Sequence, residues 1–418
     1  VTKSLVVWWE GAVVGTLRLD REGRMRFAYA QAWLDDARRP AISFSLPKRQ
    51  RPFSLRECRP FFTGVLPEES QRRAIAAALG LSRSNDFALL DALGGDVAGA
   101  LSLWPEGTTP PAPGAGNEPL PLTDKELAKV LKSLPARPLL AGREGVRLSL
   151  AGAQSKLPVV LRNGRVALPA PGEPTTHIVK PSTSRVPDIV ENEGFVMILA
   201  STVGLRTAAV EGRVVDGVSC LLVTRYDRAV GSVGRVGRLH QEDFCQALGL
   251  PPERKYAAEG GPTFKSSFDL LRRVTTRPAG AVLSLLDAAI FNVIVGNADA
   301  HGKNFSLLYR DGAVALAPLY DLLCTVSYPD LSPRLAMKLG NAGRLEDLHP
   351  ADWNAFTKDA GLALPFVRKR VGELARVIRE AAGRAAAHPN LGGLNAKAIR
   401  RCSSIIAARA ERAAGTVG

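Results

Sequence analysis

The chain has 418 residues, 46% of them hydrophobic, which describes a globular protein long enough for two or more domains. Its 55 Lys and Arg against 40 Asp and Glu give a net charge of +15, spread along the chain, which favours polyanionic partners such as nucleic acid, nucleotide or an acidic protein face. There is no uninterrupted run of about 18 apolar residues, no signal-peptide layout, and no CxxC pair among five scattered cysteines, so we expect a reduced, cytoplasmic protein with no membrane contact and no zinc site.

Residues 4–30 alternate and turn twice (SLVVWWEG, AVVGTLRLDREG, RMRFAYA), the pattern of three short antiparallel strands. Helical spacing follows over 68–79 and 85–93, around a Gly80-Leu81-Ser82 break. Two short helices about a glycine raise a DNA-binding helix-turn-helix, but Glu68, Glu69, Asp86 and Asp91 spoil a groove-reading helix, and we read ordinary packing. Residues 104–121 (WPEGTTPPAPGAGNEPLP) form a Pro/Gly-rich linker, and the capping box Thr123–Glu126 opens a helix that runs to about Leu134. A hairpin is expected at 158–161 and 166–168 about Asn163-Gly164, then a short strand at His177–Lys180. A helix over Glu191–Val203 ends at Gly204, and strands return at 210–215 and 218–224 about Asp216-Gly217. Beyond Gln241 the pattern is helical except for one hairpin. The resulting division is an N-terminal β-rich subdomain (1–103), a linker and helix (104–140), a lobe with a phosphate loop (141–226) and a helical lobe (227–418).

That one hairpin carries the chemistry. An apolar run (Leu285–Val295) ends at Gly296-Asn297, followed by Asp299-Ala300-His301-Gly302-Lys303-Asn304. A strand (Phe305–Tyr309), a turn (Arg310-Asp311-Gly312) and a second strand (Ala313–Ala317) lead to Leu319-Tyr320-Asp321. Asp299, Asn304 and Asp321 therefore gather at the open end of the hairpin. Protein kinases use a loop Asp to take the proton of the acceptor hydroxyl, with an Asn five positions on and an Asp beyond a hairpin to hold magnesium. Oxygen ligands of this kind suit a hard cation shared with phosphate.

Lys180 ends the strand HIVK, where its ammonium could reach the phosphates; of Glu191 and Glu193 on the next helix, we assign Glu193 as its partner. Upstream, SLAGAQSK (149–156) supplies small residues that let backbone N–H groups approach a phosphate, without the Walker spacing. Ala151, Gly152, Ala153, Gln154, Ser155 and Lys156 form this candidate loop. Thr224, Arg225 and Tyr226 are placed to join the two lobes, where backbone groups would meet adenine. A β-rich half followed by a helical half with nucleotide chemistry at the join is a bilobal, kinase-like α+β layout.

Several separate strings, in order, resemble the HipA family of bacterial toxin–antitoxin kinases: SLAGAQSK, HIVKP (177–181), ENE (191–193), TRYDR (224–228), RLHQEDFCQALGL (238–250), KYAAEGGP (255–262), GNADAHGKNFS (296–306) and LAPLYD (316–321). The resemblance spans about residues 5–410. It implies an ATP- and Mg2+-dependent serine/threonine protein kinase with an all-helical C-terminal lobe. Asp299 would be the catalytic base, with His301 and Lys303 lining its loop; Asn304 and Asp321 would hold the metal and Lys180 the phosphates. Ser149 corresponds to a serine that family members autophosphorylate, which switches the kinase off by ejecting the loop. The resemblance also implies a HipB-like helix-turn-helix antitoxin, operator DNA reached mainly through it, and a translation component, such as an aminoacyl-tRNA synthetase, as substrate. It departs at Thr224, a position often acidic in relatives. The D-x-H-x-x-N pattern is similar to phosphoinositide kinases as well, which keeps a small-molecule or lipid phosphotransferase as a second hypothesis; a non-catalytic corepressor subunit is the third.

Overall fold

A computed structural model of the chain describes residues 3–111, 121–143, 146–231, 235–413, 415 and 417. The N-terminal part is a four-stranded antiparallel sheet in the order Met25–Tyr29, Ala12–Leu19, Ser4–Trp9, Leu101–Pro105. Strict alternation buries Leu5, Val7 and Trp9 on one face and Met25, Phe27 and Tyr29 beside them. Helices Leu55–Gly64, Glu69–Ala78 and Asp86–Leu93 close that face around Phe61, Phe62, Ile75 and Phe87. The last two pack as ordinary core helices; Asp86 is tied to Arg59 at 2.7 Å and to Arg72. The fourth strand carries Trp104 and Pro105, so the linker starts later than the composition suggested; its residues 112–120 lie outside the described ones.

The middle lobe is a five-stranded antiparallel sheet in the order Arg165–Ala167, Leu157–Arg162, His177–Pro181, Val218–Thr224, Val210–Val215. Both of its tight turns put two successive residues in the left-handed region, Asn163-Gly164 (φ 50° and 77°) and Asp216-Gly217 (44° and 75°). That backbone twist matches the twist of paired strands, which is why Asn-Gly and Asp-Gly specify these hairpins. Helix Ile189–Thr202 crosses the sheet and is buried on nearly every side, between the sheet and the C-terminal helices.

The C-terminal lobe is built on helix Pro278–Val295, flanked by Leu364–Ala386 and Ala396–Ala413. Among the described residues it is the one helix long and apolar enough to cross a membrane, and it is the buried core of the lobe. The bilobal α+β layout stands, but the lobe is not all helical. Strand His240–Asp243 pairs with the central hairpin (Ser306–Arg310 and Ala313–Leu316), and a second hairpin joins Arg334–Leu339 to Ala342–Arg344. His-Gln-Glu-Asp has no apolar alternation to read. Its buried side chains are held by partners instead: His240 Nε2 contacts Ile42 O at 2.7 Å, and Glu242 accepts from Ser43 Oγ at 2.5 Å and Phe44 N at 3.0 Å.

The three parts meet at a buried ionic cluster. Asp96 of the N-terminal part accepts from Thr175 Oγ1 (2.6 Å), Arg228 Nη2 (3.0 Å) and Arg238 Nε (3.0 Å), with Arg225 Nη1 at 3.3 Å. Asp227 accepts from Arg225 Nη2 and from the backbone of Gly99, both at 2.7 Å. Burial opposes the charge on Asp96, but the three guanidiniums outweigh it and hold the carboxyl well below its ordinary range. Removing one member of such a cluster strands the others without solvent or counter-charge. Asp96→Asn is therefore expected to lower stability by about 3–5 kcal/mol, read as a shifted urea midpoint; an unchanged midpoint would show that the cluster is neutral in energy.

Candidate active site

The catalytic loop is fixed by the helix that precedes it. Helix Pro278–Val295 ends at Gly296, whose φ of 78° is left-handed and whose Cβ would lie 2.5 Å from Val326 Cγ2, so glycine is required there. Arg409 caps the last turn, donating from Nη2 to Val293 O (2.8 Å) and from Nε to Ile294 O (3.1 Å). Asn297 then bonds Asn292 Oδ1 at 2.8 Å and receives Asp299 N at 3.1 Å. Ala298 is held on both sides, its N–H donating to Thr325 Oγ1 and its carbonyl accepting from Ala336 N, each at 2.8 Å. A short turn over Gly302–Asn304 is closed by His301 N donating to Asn304 Oδ1 at 3.1 Å.

Asp299 sits exposed on the floor of a deep cleft, reachable by solvent yet crowded by protein on most sides. That crowding, with Asp321 and Glu69 adding to it and Lys255 opposing, raises its pKa to about 6. Such a carboxylate is poised to accept a proton near neutral pH. His301 is buried beside it and driven the other way, to about 4, first by burial and then by Lys255, so it is neutral.

Across the cleft, Lys180 bridges two carboxylates: Glu193 Oε1 at 2.6 Å and Asp321 Oδ1 at 2.8 Å. Asn304 Nδ2 donates to the other oxygen of Asp321 at 2.9 Å. Asp321 holds a left-handed φ of 59°, unusual for a non-glycine, and keeps 35% of its side chain open to the cavity. Burial works against its charge, but Lys180 and then Lys156 outweigh it and keep the carboxyl ionised. An ionised carboxylate beside an amide, with room left over, is an oxygen-donor set that could hold a magnesium ion whose other ligands are phosphate and water.

The phosphate loop folds back on itself, with Lys156 Nζ donating to Ala151 O at 2.6 Å. Gly152 has φ 107°, and a Cβ there would meet Lys156 Nζ at 2.6 Å. Burial, with Lys180 nearby, lowers the Lys156 pKa to about 8. Gln71 Nε2 reaches Ser155 Oγ at 3.2 Å and Glu68 N reaches Gly152 O at 3.4 Å, so the N-terminal part braces this loop. Residues 150–156, Lys180, Glu193, Asp299, Asn304 and Asp321 all line one cavity of about 1300 Å³. Beside it Gln154 Nε2, Glu68 Oε1 and His301 Nδ1 are buried without a hydrogen-bond partner, and Lys303 Nζ lies 3.7 Å from that Glu68 oxygen.

The family model of the HipA-like C-terminal domain matches residues 148–387, and that of the HipA N-terminal domain matches 5–104. The chain belongs to the HipA family. A Sinorhizobium fredii protein named "Putative kinase Y4mE" is 58% identical over 91% of this chain and 91% of its own length. The "Serine/threonine-protein kinase toxin HipA" of Shewanella oneidensis is 30% identical over 77% of this chain and 75% of that one. Among solved structures, Shewanella oneidensis HipA in complex with HipB and operator DNA superposes with a TM-score of 0.86 and 27% identity, covering 99% of this chain and 98% of that one.

Within this HipA framework several residues have unexpected duties. Thr224, Arg225 and Tyr226 line the cavity, but the Arg225 guanidinium turns away into the ionic cluster, so only its backbone faces a ligand. Tyr226 is fixed by a hydrogen bond to Gln241, and its ring lies tilted by 30° against that of Tyr320 with centroids 5.7 Å apart. Lys303 is an internal tie: its ammonium donates to Asp243 Oδ2 at 2.6 Å and to Gly64 O at 3.0 Å. Ser149 lies behind the loop, fully buried, with its hydroxyl donated to Val65 O at 2.7 Å. Glu68, Glu69, Asp243, Lys255 and Tyr256 also reach the site, though none stood out as a site residue in the sequence. Glu68 and Asp243 enter through partners far off in the chain, and only the KYAAEGGP string gave any local hint of Lys255 and Tyr256.

A reaction that uses Asp299 as its base should lose rate as pH falls through about 6, because the protonated acid cannot accept. The pH–rate profile in limiting nucleotide measures this; an acid limb near the usual carboxylate range, about 4, would place the base elsewhere.

Proposed function

We propose that this protein is an ATP- and magnesium-dependent serine/threonine protein kinase that acts as the growth-arresting toxin of a toxin–antitoxin pair. The observation that carries the reading is Lys180 bridging Glu193 and Asp321, with Asn304 on the same carboxylate and an accessible Asp299 in the same cavity. Phosphoryl transfer asks the protein mainly for positioning and charge neutralisation. Lys180, held by Glu193, would neutralise nucleotide phosphate, and the N–H groups of 151–155 would cradle it. Asp321 and the Asn304 amide would hold the metal, which supplies charge neutralisation on the phosphates. Asp299 would take the acceptor hydroxyl's proton. The names and complex of the Shewanella relative favour a protein acceptor and a HipB-like antitoxin that brings the kinase to operator DNA; the net charge of +15 suits that setting. A translation component, such as an aminoacyl-tRNA synthetase, is the acceptor we propose.

Ser149 gives the reading an internal switch. Its hydroxyl must first leave Val65 O to be phosphorylated. A phosphate of about −1.5 to −2 charge could not return to a fully buried site, so the loop it belongs to would stay out of the cavity.

Intact-mass analysis after incubation with Mg-ATP tests this, starting from unmodified chain. One phosphate on the wild type, mapped to Ser149 and absent in Asp299→Asn and Ser149→Ala, is the expected result. Nucleotide consumed without any phosphoprotein would favour a small-molecule or lipid acceptor. No turnover at all would leave a corepressor subunit.

A further inference from the structure

A short stretch of the N-terminal part, residues 64–68, holds both loops of the site at once. Towards the phosphate loop, Val65 O accepts from Ser149 Oγ at 2.7 Å and Glu68 N donates to Gly152 O at 3.4 Å. Towards the catalytic loop, Gly64 O accepts from Lys303 Nζ at 3.0 Å. The Glu68 carboxylate accepts from Lys255 Nζ at 3.0 Å, and its other oxygen lies 3.7 Å from Lys303 Nζ. Glu68 thus serves both loops, with its backbone on one side and its side chain on the other.

Lys255 carries that hold to the loop of Asp299. Its carbonyl accepts from Gly302 N at 3.3 Å. A Cβ on Gly302 would lie 2.4 Å from Pro262 Cγ and 3.1 Å from Cys245 Sγ, and one on Gly261 would lie 2.4 Å from Arg254 O. With both glycines pressed this closely, a displaced Lys255 has to take Gly302 with it. The Lys255 and Lys303 ammoniums are buried, with 10% and 4% of their side chains exposed. Lys303 has Asp243 Oδ2 at 2.6 Å as well. The second carboxylate on Lys255 is Glu69, at 3.4 Å and 62% exposed. A carboxylate in solvent compensates a buried cation poorly, so Glu68 is the partner that keeps Lys255 in place.

We propose that Glu68 is a positioning residue that sets the catalytic loop in register with the phosphate loop. This rests on the reading of the two loops as those of a phosphoryl transfer. Acceptor and phosphate react only when held about 3–3.5 Å apart. The groups that would hold them stand on stretches 150–156 and 299–304, far apart in the chain, and a residue fixed to both limits their relative drift.

The test is a double-variant cycle in the full chain: Glu68→Gln, Lys255→Gln and both together. Phosphate incorporation gives turnover and the ATP KM, and hydrogen exchange follows the Gly302 amide. Glu68→Gln keeps the N–H that holds Gly152 and removes only the charge on the lysines. Turnover is therefore expected to fall about tenfold, while the ATP KM stays within about twofold of wild type. The Gly302 amide should exchange about tenfold faster. Because Glu68 acts through Lys255, the loss in the double variant should stay well short of the product of the two single losses. If Glu68→Gln does not fold, Lys255→Gln and the double variant decide: both should show the slow turnover and fast Gly302 exchange, and wild-type behaviour in them overturns the inference. Unchanged turnover and exchange in a folded Glu68→Gln overturn it too. So does a raised ATP KM with turnover intact, which confines Glu68 to the phosphate loop, and so do losses that multiply across the cycle. A wild type that transfers no phosphate removes the kinase reading; the Gly302 exchange across the same cycle then still decides whether Glu68 holds the loop of Asp299.

Discussion

One ammonium group joins the lobes at the site. Lys180 ends a strand of the middle sheet, Glu193 sits on the helix that crosses that sheet, and Asp321 follows the hairpin of the C-terminal lobe. Lys180 and Glu193 belong to the middle lobe and Asp321 to the C-terminal lobe, so one buried cation with carboxylates at 2.6 and 2.8 Å ties the second lobe to the first. The relative position of strand, helix and hairpin is thereby set at the cavity that Asp299 also lines. Asn304 extends the same network into the loop that carries Asp299.

The N-terminal part belongs to this site as much as it packs beside it. Residues 64–71 touch the phosphate loop, Lys303 and Lys255, while Asp96 anchors the connection between the lobes through three arginines. Buried polar contacts of this kind are weak sources of net stability but poor at tolerating alternatives, which favours a single arrangement of the three parts.

Much of this was legible in the sequence wherever the cause is local. Asn-Gly and Asp-Gly wrote the hairpins, and the spacing of Asp299, Asn304 and Asp321 survived folding because one helix cap and one tight hairpin separate them. The choice of Glu193 over Glu191 follows helix geometry: Glu193 faces Lys180, while Glu191 accepts from Asn395 N. What could not be read is set by distant partners. Arg225 is read for its backbone alone, and nothing local foretells that Asp96, 129 positions away, holds its side chain or that Lys303 is spent on a carbonyl 239 positions away. Strand His240–Asp243 is polar in sequence and buried in fact, a case where tertiary partners override local pattern.

The guanidinium that caps the helix before the catalytic loop belongs to a residue 115 positions later in the chain. During synthesis the N-terminal parts of a protein emerge and fold first. Helix Pro278–Val295, the loop, Asn304 and Asp321 would all be made while the last turn of that helix still lacks Arg409. This order of assembly would leave the cap of that helix, and with it the anchoring of the loop that follows, unfinished until residue 409 has been made.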